Sequence, residues 1–399
     1  MRAASGVFQK VLHDALSFLH AYRRCGLLLA VEAAVHSRAL TLIDLARSCP
    51  ATPRVRTALK RLDRLLGNPG LHAARGRIYQ AMVRTWLCHP TPLIVVDWSE
   101  LKKDGRWCLL RAAIPVKGRS LTVLEEVRPR GQLGNGKVQR HFLRQLKALL
   151  PTQACPILIT DAGFRSDWFA AVESLQWSWI GRVRGRMRVR LKGQAAWGYC
   201  KDLHALQRGS ARDLGQGELT RVHRHPCRLI LGARRLLQGR HALTHSGARS
   251  ADRRDLKAAQ STREPHLLAC SSSLKAYTAA MIERMYRRRM QIEESFRDLK
   301  SHHYGQGFED TQTRSPERLH MLLLIHALAQ WVQWVIGLVV ITRGLDHFLR
   351  PTSSKRQHYS TVRIGREFIL HGCIGLSLPH IRPPDLPADS IPPPLTKQK

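Results

Sequence analysis

Acidic residues are scarce in this chain. Asp plus Glu number 29 against 65 Lys plus Arg, a formal charge of +36 over 399 residues. A compact fold carries that self-repulsion best when a polyanion neutralises it. Nucleic acid is the first partner implied and an anionic membrane surface the second. The charge runs along the whole chain, which favours several domains wrapping DNA over one basic arm. Paired cysteine motifs are also missing. The nine cysteines are scattered and none forms C-x-x-C, which argues against a zinc ribbon or finger despite 20 histidines. Reduced thiols in a cytoplasm are the expected state. No internal repeat is visible. No secretory leader is read either, because His13, Asp14 and His20 interrupt the first apolar stretch. A protein of the cytoplasm is the expectation.

Hydrophobic residues make up 44% of the chain and aromatics only 6%. The length suffices for two or three domains with a sizeable core. Met321 to Ile341 is apolar for long enough to span a bilayer. It carries His326, Gln330 and Gln333 at helical spacing, and we read it as a buried core helix rather than a membrane span.

Residues 1 to about 88 read as helical. Arg54 to Leu66 (RVRTALKRLDRLL) is basic and amphipathic, with Leu59, Leu62, Leu65 and Leu66 on one side and Arg56, Lys60, Arg61 and Arg64 on the others. Asn68-Pro69-Gly70 is expected to stop it. A small DNA-binding domain and an ordinary solvated helix both fit. From Pro92 the pattern changes. Leu93 to Val96, Trp107 to Val116 and Leu121 to Val127 read as strands, Lys137 to Leu150 as a helix, and Pro156 to Thr160 as a strand. A helix at Asp167 to Leu175 and a strand near Trp177 to Val183 follow. The order β-β-β-α-β-α-β predicts an α/β domain with a mixed sheet. Residues 185–262 are Gly- and Arg-rich and read as an inserted β-rich subdomain. His266 to Cys270 resumes as a strand, and Leu274 to His302 as one long helix. Residues 346–399 are basic and Pro-rich and read as a tail.

Two apolar strands run into an aspartate, LIVVD at Asp97 and ILITD at Asp161. A carboxylate at a strand end sits where ligands gather in α/β folds, although such a residue often only caps a turn. On the following helix, Tyr286, Arg289, Glu293 and Lys300 fall within roughly 60° of one another over about 21 Å. Met285, Ile292, Phe296 and Leu299 form the adjacent apolar stripe. That layout suits a carboxylate flanked by phosphate-binding cations, though Glu293 could simply pair with Arg289 or Arg297. Three carboxylates from two strands and a helix suit two hard cations with oxygen ligands, Mg²⁺ better than Zn²⁺. Such a metal pair activates a water or a 3′-hydroxyl at a phosphodiester.

Tyr286-x2-Arg289-x3-Glu293-x6-Lys300 resembles the signature around the catalytic glutamate of DDE transposases in the insertion-sequence-four family. VVDWSE around Asp97, ITDAGF around Asp161 and KRLDRLLGNPGLH from Lys60 resemble other parts of that family. The resemblance covers roughly residues 50–345. It implies an RNase H-like core over residues 89–184 and 263–345, interrupted by the β-rich insertion and preceded by the helical DNA-binding domain at residues 1–88. It implies Asp97, Asp161 and Glu293 as ligands of two Mg²⁺ ions, which Mn²⁺ could replace. Tyr286, Arg289 and Lys300 would hold DNA phosphates. Similar enzymes nick DNA, form and reopen a hairpin, and join the end to target DNA, as homodimers bridging two double-stranded ends. No membrane is expected.

Arg182, Arg184, Arg186, Arg188, Arg190 and Lys192 alternate with other residues, so an unbroken strand would place all six on one face, ready for a DNA backbone. Related enzymes stack an aromatic from the insertion on a flipped base. Trp177, Trp179 and Trp197 are candidates, Trp197 the nearest, and structural packing is the favoured use of each. His302 and His303 read as capping the helix C-terminus. Two other readings stand beside the transposase. One is a stand-alone nuclease on the same core, and the other a catalytically inactive DNA-binding protein of transposon origin.

Overall fold

The computed structural model describes residues 12–50, 54–233, 248–253, 256, 264–303, 305–349, 353 and 358–372. In chain order the main elements begin with helices α1 (Ala21–His36), α2 (Leu42–Arg47), α3 (Val55–Leu66) and α4 (Pro69–Arg84). Strands β1 (Leu93–Glu100), β2 (Trp107–Val116) and β3 (Arg119–Pro129) follow, then α5 (Gly136–Leu149), β4 (Ile157–Thr160), α6 (Ser166–Ser174) and β5 (Ser178–Val183). Next come β6 (Arg188–Leu191), β7 (Gly198–Tyr199), β8 (Arg212–Leu219), β9 (His225–Leu231) and β10 (Leu267–Cys270). The chain continues through α7 (Ala279–Arg287), α8 (Met290–Lys300), α9 (Pro316–Thr342) and α10 (Thr361–Leu370). Over the described residues two compact units result, one of residues up to Pro156 together with residues 289–372, the other of Ile157–Arg288.

In the first unit, β1, β2 and β3 form an antiparallel meander in the order β3-β2-β1. Almost every residue of β2 is buried, so both faces of the strand are covered. The apolar run expected to form a core helix does so. In α9, Leu322 to Ile325, Trp331, Trp334 and Ile336 are buried, as are His326, Gln330 and Gln333. The Trp334 ring meets Trp86 with centroids 5.9 Å apart. The Asn-Pro-Gly sequence does not merely end α3. Gly67 closes that helix, and Asn68 starts α4 at once, its Oδ1 accepting from Leu71 N at 3.1 Å with Pro69 in the first turn. Asparagine caps and proline starts helices, so the same residues both stop and start. Within the stretch read as a tail lies α10, whose Val362, Ile364, Phe368 and Ile369 are buried. Its apolar spacing is helical, and the surrounding prolines hid it.

In the second unit, the strands run β4-β5-β10-β9-β8-β6-β7. The β4–β5 pair is parallel and the rest antiparallel, so the sheet is mixed as expected. The insertion is β-rich but is no separate sheet, because β9 pairs with β10 through Leu229↔Ala269 and extends the same surface. Arg182 to Lys192 is not one strand. The chain turns between β5 and β6 at Gly185, whose φ of +70° favours glycine, so the six cations do not share a face.

The long helix expected from Leu274 to His302 is also interrupted. Ser272–Ala276 is a 3₁₀ turn, α7 ends at Arg287 and α8 begins at Met290. Between them Arg288 N bonds Met285 O and Ile292 N bonds Arg289 O, both three residues back. The tighter winding ends the 3.6-residue phase, so the 60° stripe does not hold as a single helix face.

Candidate active site

Asp97 does not stand at a strand end. β1 runs on through Glu100, with Asp97 opposite Arg111 and Glu100 opposite Cys108. Burial of Leu93 to Val96 gives way at Asp97, which is why the acid reads as an end in the sequence. Its Oδ1 accepts from Trp98 N at 2.8 Å. Its Oδ2 lies 3.3 Å from Arg289 Nη1. The same nitrogen ion-pairs with Glu293 Oε1, one helical turn further along. Arg289 is 7% exposed, so this guanidinium serves two carboxylates at a site with little water. Attraction at such a site is worth more than on the surface.

Glu293 is carried by α8, which is fastened to the meander. Ser295 Oγ accepts from Ser120 N at 2.8 Å, and Asp298 accepts from Arg119. Lys300 donates to Ser99 Oγ at 3.0 Å and to Glu100 O at 3.2 Å. Burial lowers the Lys300 pKa, a shift that the carboxylates of Glu309 and Glu100 oppose. Asp97, Arg289, Glu293 and Lys300 thus belong to one unit and are tied to β1 and α8.

In the second unit, Asp161 follows β4 directly, as the sequence reading has it. Tyr286 Oη donates to Asp161 Oδ1 at 3.1 Å, and the Tyr286 ring meets His266 edge-on with centroids 5.3 Å apart. Tyr286 is 2% exposed. Arg182, expected to face DNA, is mostly buried and lies 4.0 Å from Asp161 Oδ1, so its nearest anion is a carboxylate of its own chain. Arg184 and Arg186 are exposed at the turn. Arg188 stacks over Tyr199 at 3.8 Å, and Arg190 lies 5.0 Å over Trp197 and ion-pairs with Glu218. Trp177 and Trp179 are buried, Trp179 stacked on Phe169 at 3.8 Å, which assigns both to packing. Trp197 is half-buried. His302 does not cap the helix but pairs with Asp310 at 2.7 Å.

Among the described residues, no three His, Cys, Asp or Glu side chains are grouped to hold a metal ion. Each carboxylate instead has a cationic or hydroxyl partner, Arg289 for Asp97 and Glu293, Tyr286 and Arg182 for Asp161. The donors themselves, carboxylate oxygens, suit a hard divalent cation.

Sequence reasoning missed a buried charge cluster on the meander. Arg111 and Glu125 are both fully buried and paired through Arg111 Nε and Glu125 Oε2 at 2.8 Å. Tyr79 Oη donates to Glu125 Oε1 at 3.0 Å, and Arg75 donates to Glu125 O at 2.7 Å. Arg111 also faces the Phe296 ring of α8 at 4.9 Å. The signal was an arginine in the middle of the apolar strand WCLLRAAIPV.

Carboxylate, arginine and lysine side chains thus lie together on β1 and on the helix packed against it. The model of the transposase DDE domain family matches residues 89–332, more than half of the chain, and the chain belongs to that family. The match encloses Asp97, Asp161 and Glu293. The chain is also similar to a solved structure, the piggyBac transposase synaptic complex with hairpin DNA, at 10% identity and a TM-score of 0.41, over 98% of this chain and 83% of that one. No curated protein matches.

Proposed function

We propose that the chain cuts and rejoins double-stranded DNA at the ends of an insertion sequence of the insertion-sequence-four type, excising and inserting the element. Asp97, Asp161 and Glu293 are the ligands of two Mg²⁺ ions in this reading, and Mn²⁺ substitutes. When bound, such ions activate a water or 3′-hydroxyl and stabilise the leaving oxygen. The observation that carries the reading is the Arg289 guanidinium held against both Asp97 and Glu293.

The chain's own residues have distinct parts. Arg289 offsets the repulsion between two carboxylates and offers a planar fork to a phosphate. Tyr286 orients Asp161 through its donated hydrogen bond. Lys300 presents its ammonium beside Ser99 and adds positive charge where a phosphodiester would be cut. Arg56, Lys60, Arg61 and Arg64 are exposed on α3 and take the phosphates of element-end DNA. Arg184, Arg186, Arg188 and Arg190 contact DNA from the second unit. The active assembly is a homodimer bridging two ends.

The test is cleavage of a labelled duplex carrying the flanking ends of the chain's own gene, with Mg²⁺ or Mn²⁺ and a strand-transfer target present. Cutting at the element boundary followed by joining supports the transposase. Cutting without joining would indicate a stand-alone nuclease, and binding without cutting under both metals an inactive DNA-binding protein.

A further inference from the structure

Two long stretches of the sequence contain no Asp or Glu, residues 64–96 and residues 127–160. The fold packs one against the other. Helix α4 comes from the first and α5 from the second, and Gln80 Nε2 donates to Ala148 O at 2.9 Å between them. An open groove of about 460 Å³ runs along the junction, lined by His72, Arg75, Arg77, Gln80 and Gln145 among others.

On α5, Phe142, Leu143, Leu146 and Leu149 are buried, while Lys137, Arg140, His141, Arg144 and Lys147 are exposed. Lys137, Arg140, Arg144 and Lys147 lie within about 80° around the axis, in a stripe about 15 Å long. Some exposed arginines on other helices are answered by an acid of their own helix, as Arg297 is by Glu294 and Arg363 by Glu367. On α5, among the described residues, none of the five side chains forms an ion pair with a carboxylate. Cations at four-residue spacing repel one another. The stripe is therefore destabilising for the helix by itself and favourable only opposite an anion.

We infer that the exposed face of α5, with the groove beside it, is a second DNA-binding surface that holds duplex DNA by its phosphate backbone, irrespective of sequence. The inference rests on the DNA-processing reading above. Repeated charge along a straight stripe fits the repeated charge of a duplex, which presents several phosphates per strand over about 15 Å. Lysine and arginine on a convex helix face contact phosphates without reading bases.

The test uses the full chain with Lys137, Arg140, Arg144 and Lys147 all changed to Gln. These side chains are exposed, so the fold should survive, and a thermal melt checks it. A companion variant, K137R/R140K/R144K/K147R, keeps every charge. Fluorescence anisotropy is followed against salt with an element-end duplex and with an unrelated duplex of the same length. The neutral variant should lose affinity for both by the same factor, about tenfold or more, and its log–log salt slope should flatten by up to roughly 3.6. The charge-keeping variant should match the wild type. An unchanged slope overturns the inference. So does unaltered duplex binding with lost retention on phosphatidylserine vesicles, which would assign the stripe to a membrane. A wild type that binds duplex but cuts under neither metal defeats the catalytic reading alone. A wild type that cuts, beside an unaltered neutral variant, defeats this surface alone.

Discussion

Arg289 Nη1 lies 3.3 Å from Asp97 Oδ2, and this one nitrogen also pairs with Glu293. The arrangement predicts that Arg289→Gln lowers the cleavage rate by roughly 10²–10³-fold, the usual effect of removing one preorganised donor. Arg289→Lys should recover only part of the loss, because an ammonium lacks the planar fork. Single-turnover cleavage of an end duplex measures both. Equal rates for wild type and the Gln variant would contradict the assignment.

Tyr286 donates its hydroxyl to Asp161. Tyr286→Phe keeps the buried ring and removes the donor. Cleavage should fall about tenfold, in line with the worth of a hydrogen bond to a charged group. Duplex binding, read by anisotropy in the same samples, should change little.

The Arg111–Glu125 pair makes a prediction about stability rather than chemistry. Arg111→Met leaves Glu125 charged and buried, which costs roughly 3–5 kcal/mol. Adding Glu125→Leu should restore much of that loss, since a well-packed apolar pair can replace a buried ion pair. Urea denaturation of the two variants compares the values.

A close helix crossing makes another. A methyl group on Gly365 would run into Gln333 O, and one on Gly337 into Thr361 O, both backbone atoms that cannot swing aside. Gly365→Ala should therefore cost roughly 1–3 kcal/mol through forced separation of α9 and α10. The melting temperature reports it.

Acid should destabilise the fold. Burial, helped by Arg111 and Arg366, pushes the His326 imidazole down from 6.5 to about 3. Burial does the same to His320, whose Nε2 accepts from Val127 N at 2.7 Å. Between those two pH values the unfolded chain binds protons that the folded chain does not. The stability from each neutral histidine is complete above pH 6.5 and is lost as the pH falls toward 3. His326→Gln should flatten the dependence of unfolding free energy on pH near pH 5 by about 1.4 kcal/mol per unit, one proton's worth. Denaturant titrations at several pH values between 4 and 8 measure the slope.

Local pattern made the strands legible. β2 occupies Trp107–Val116 as read, β4 delivers Asp161, and the apolar run around Trp331 is a core helix. The errors arose where tertiary pairing overrides local signals. Asp97 looks terminal because apolar residues stop there, yet ten-residue β2 offers partners for three more positions. Alternation from Arg182 to Lys192 suggests a single strand, and a turn at Gly185 breaks it into β5 and β6. The helix carrying Glu293 has helical propensity across Arg288 and Arg289, so nothing in its composition marks the change of hydrogen bonding there. The partners of the acids were the least legible. Spacing alone could suggest Arg289 with Glu293, but only the fold joins Arg289 to Asp97, Tyr286 to Asp161, and Arg111 to Glu125.

The central claim is that Asp97, Asp161 and Glu293 act as one metal-binding triad. Its most direct test is cleavage of an end duplex in Mn²⁺ by Asp97→Asn, Asp161→Asn and Glu293→Gln, each beside the wild type, with duplex affinity measured in parallel. Each substitution should abolish cleavage while affinity stays within a few-fold of wild type. Wild-type cleavage by any one of the three, with its fold intact, would contradict it.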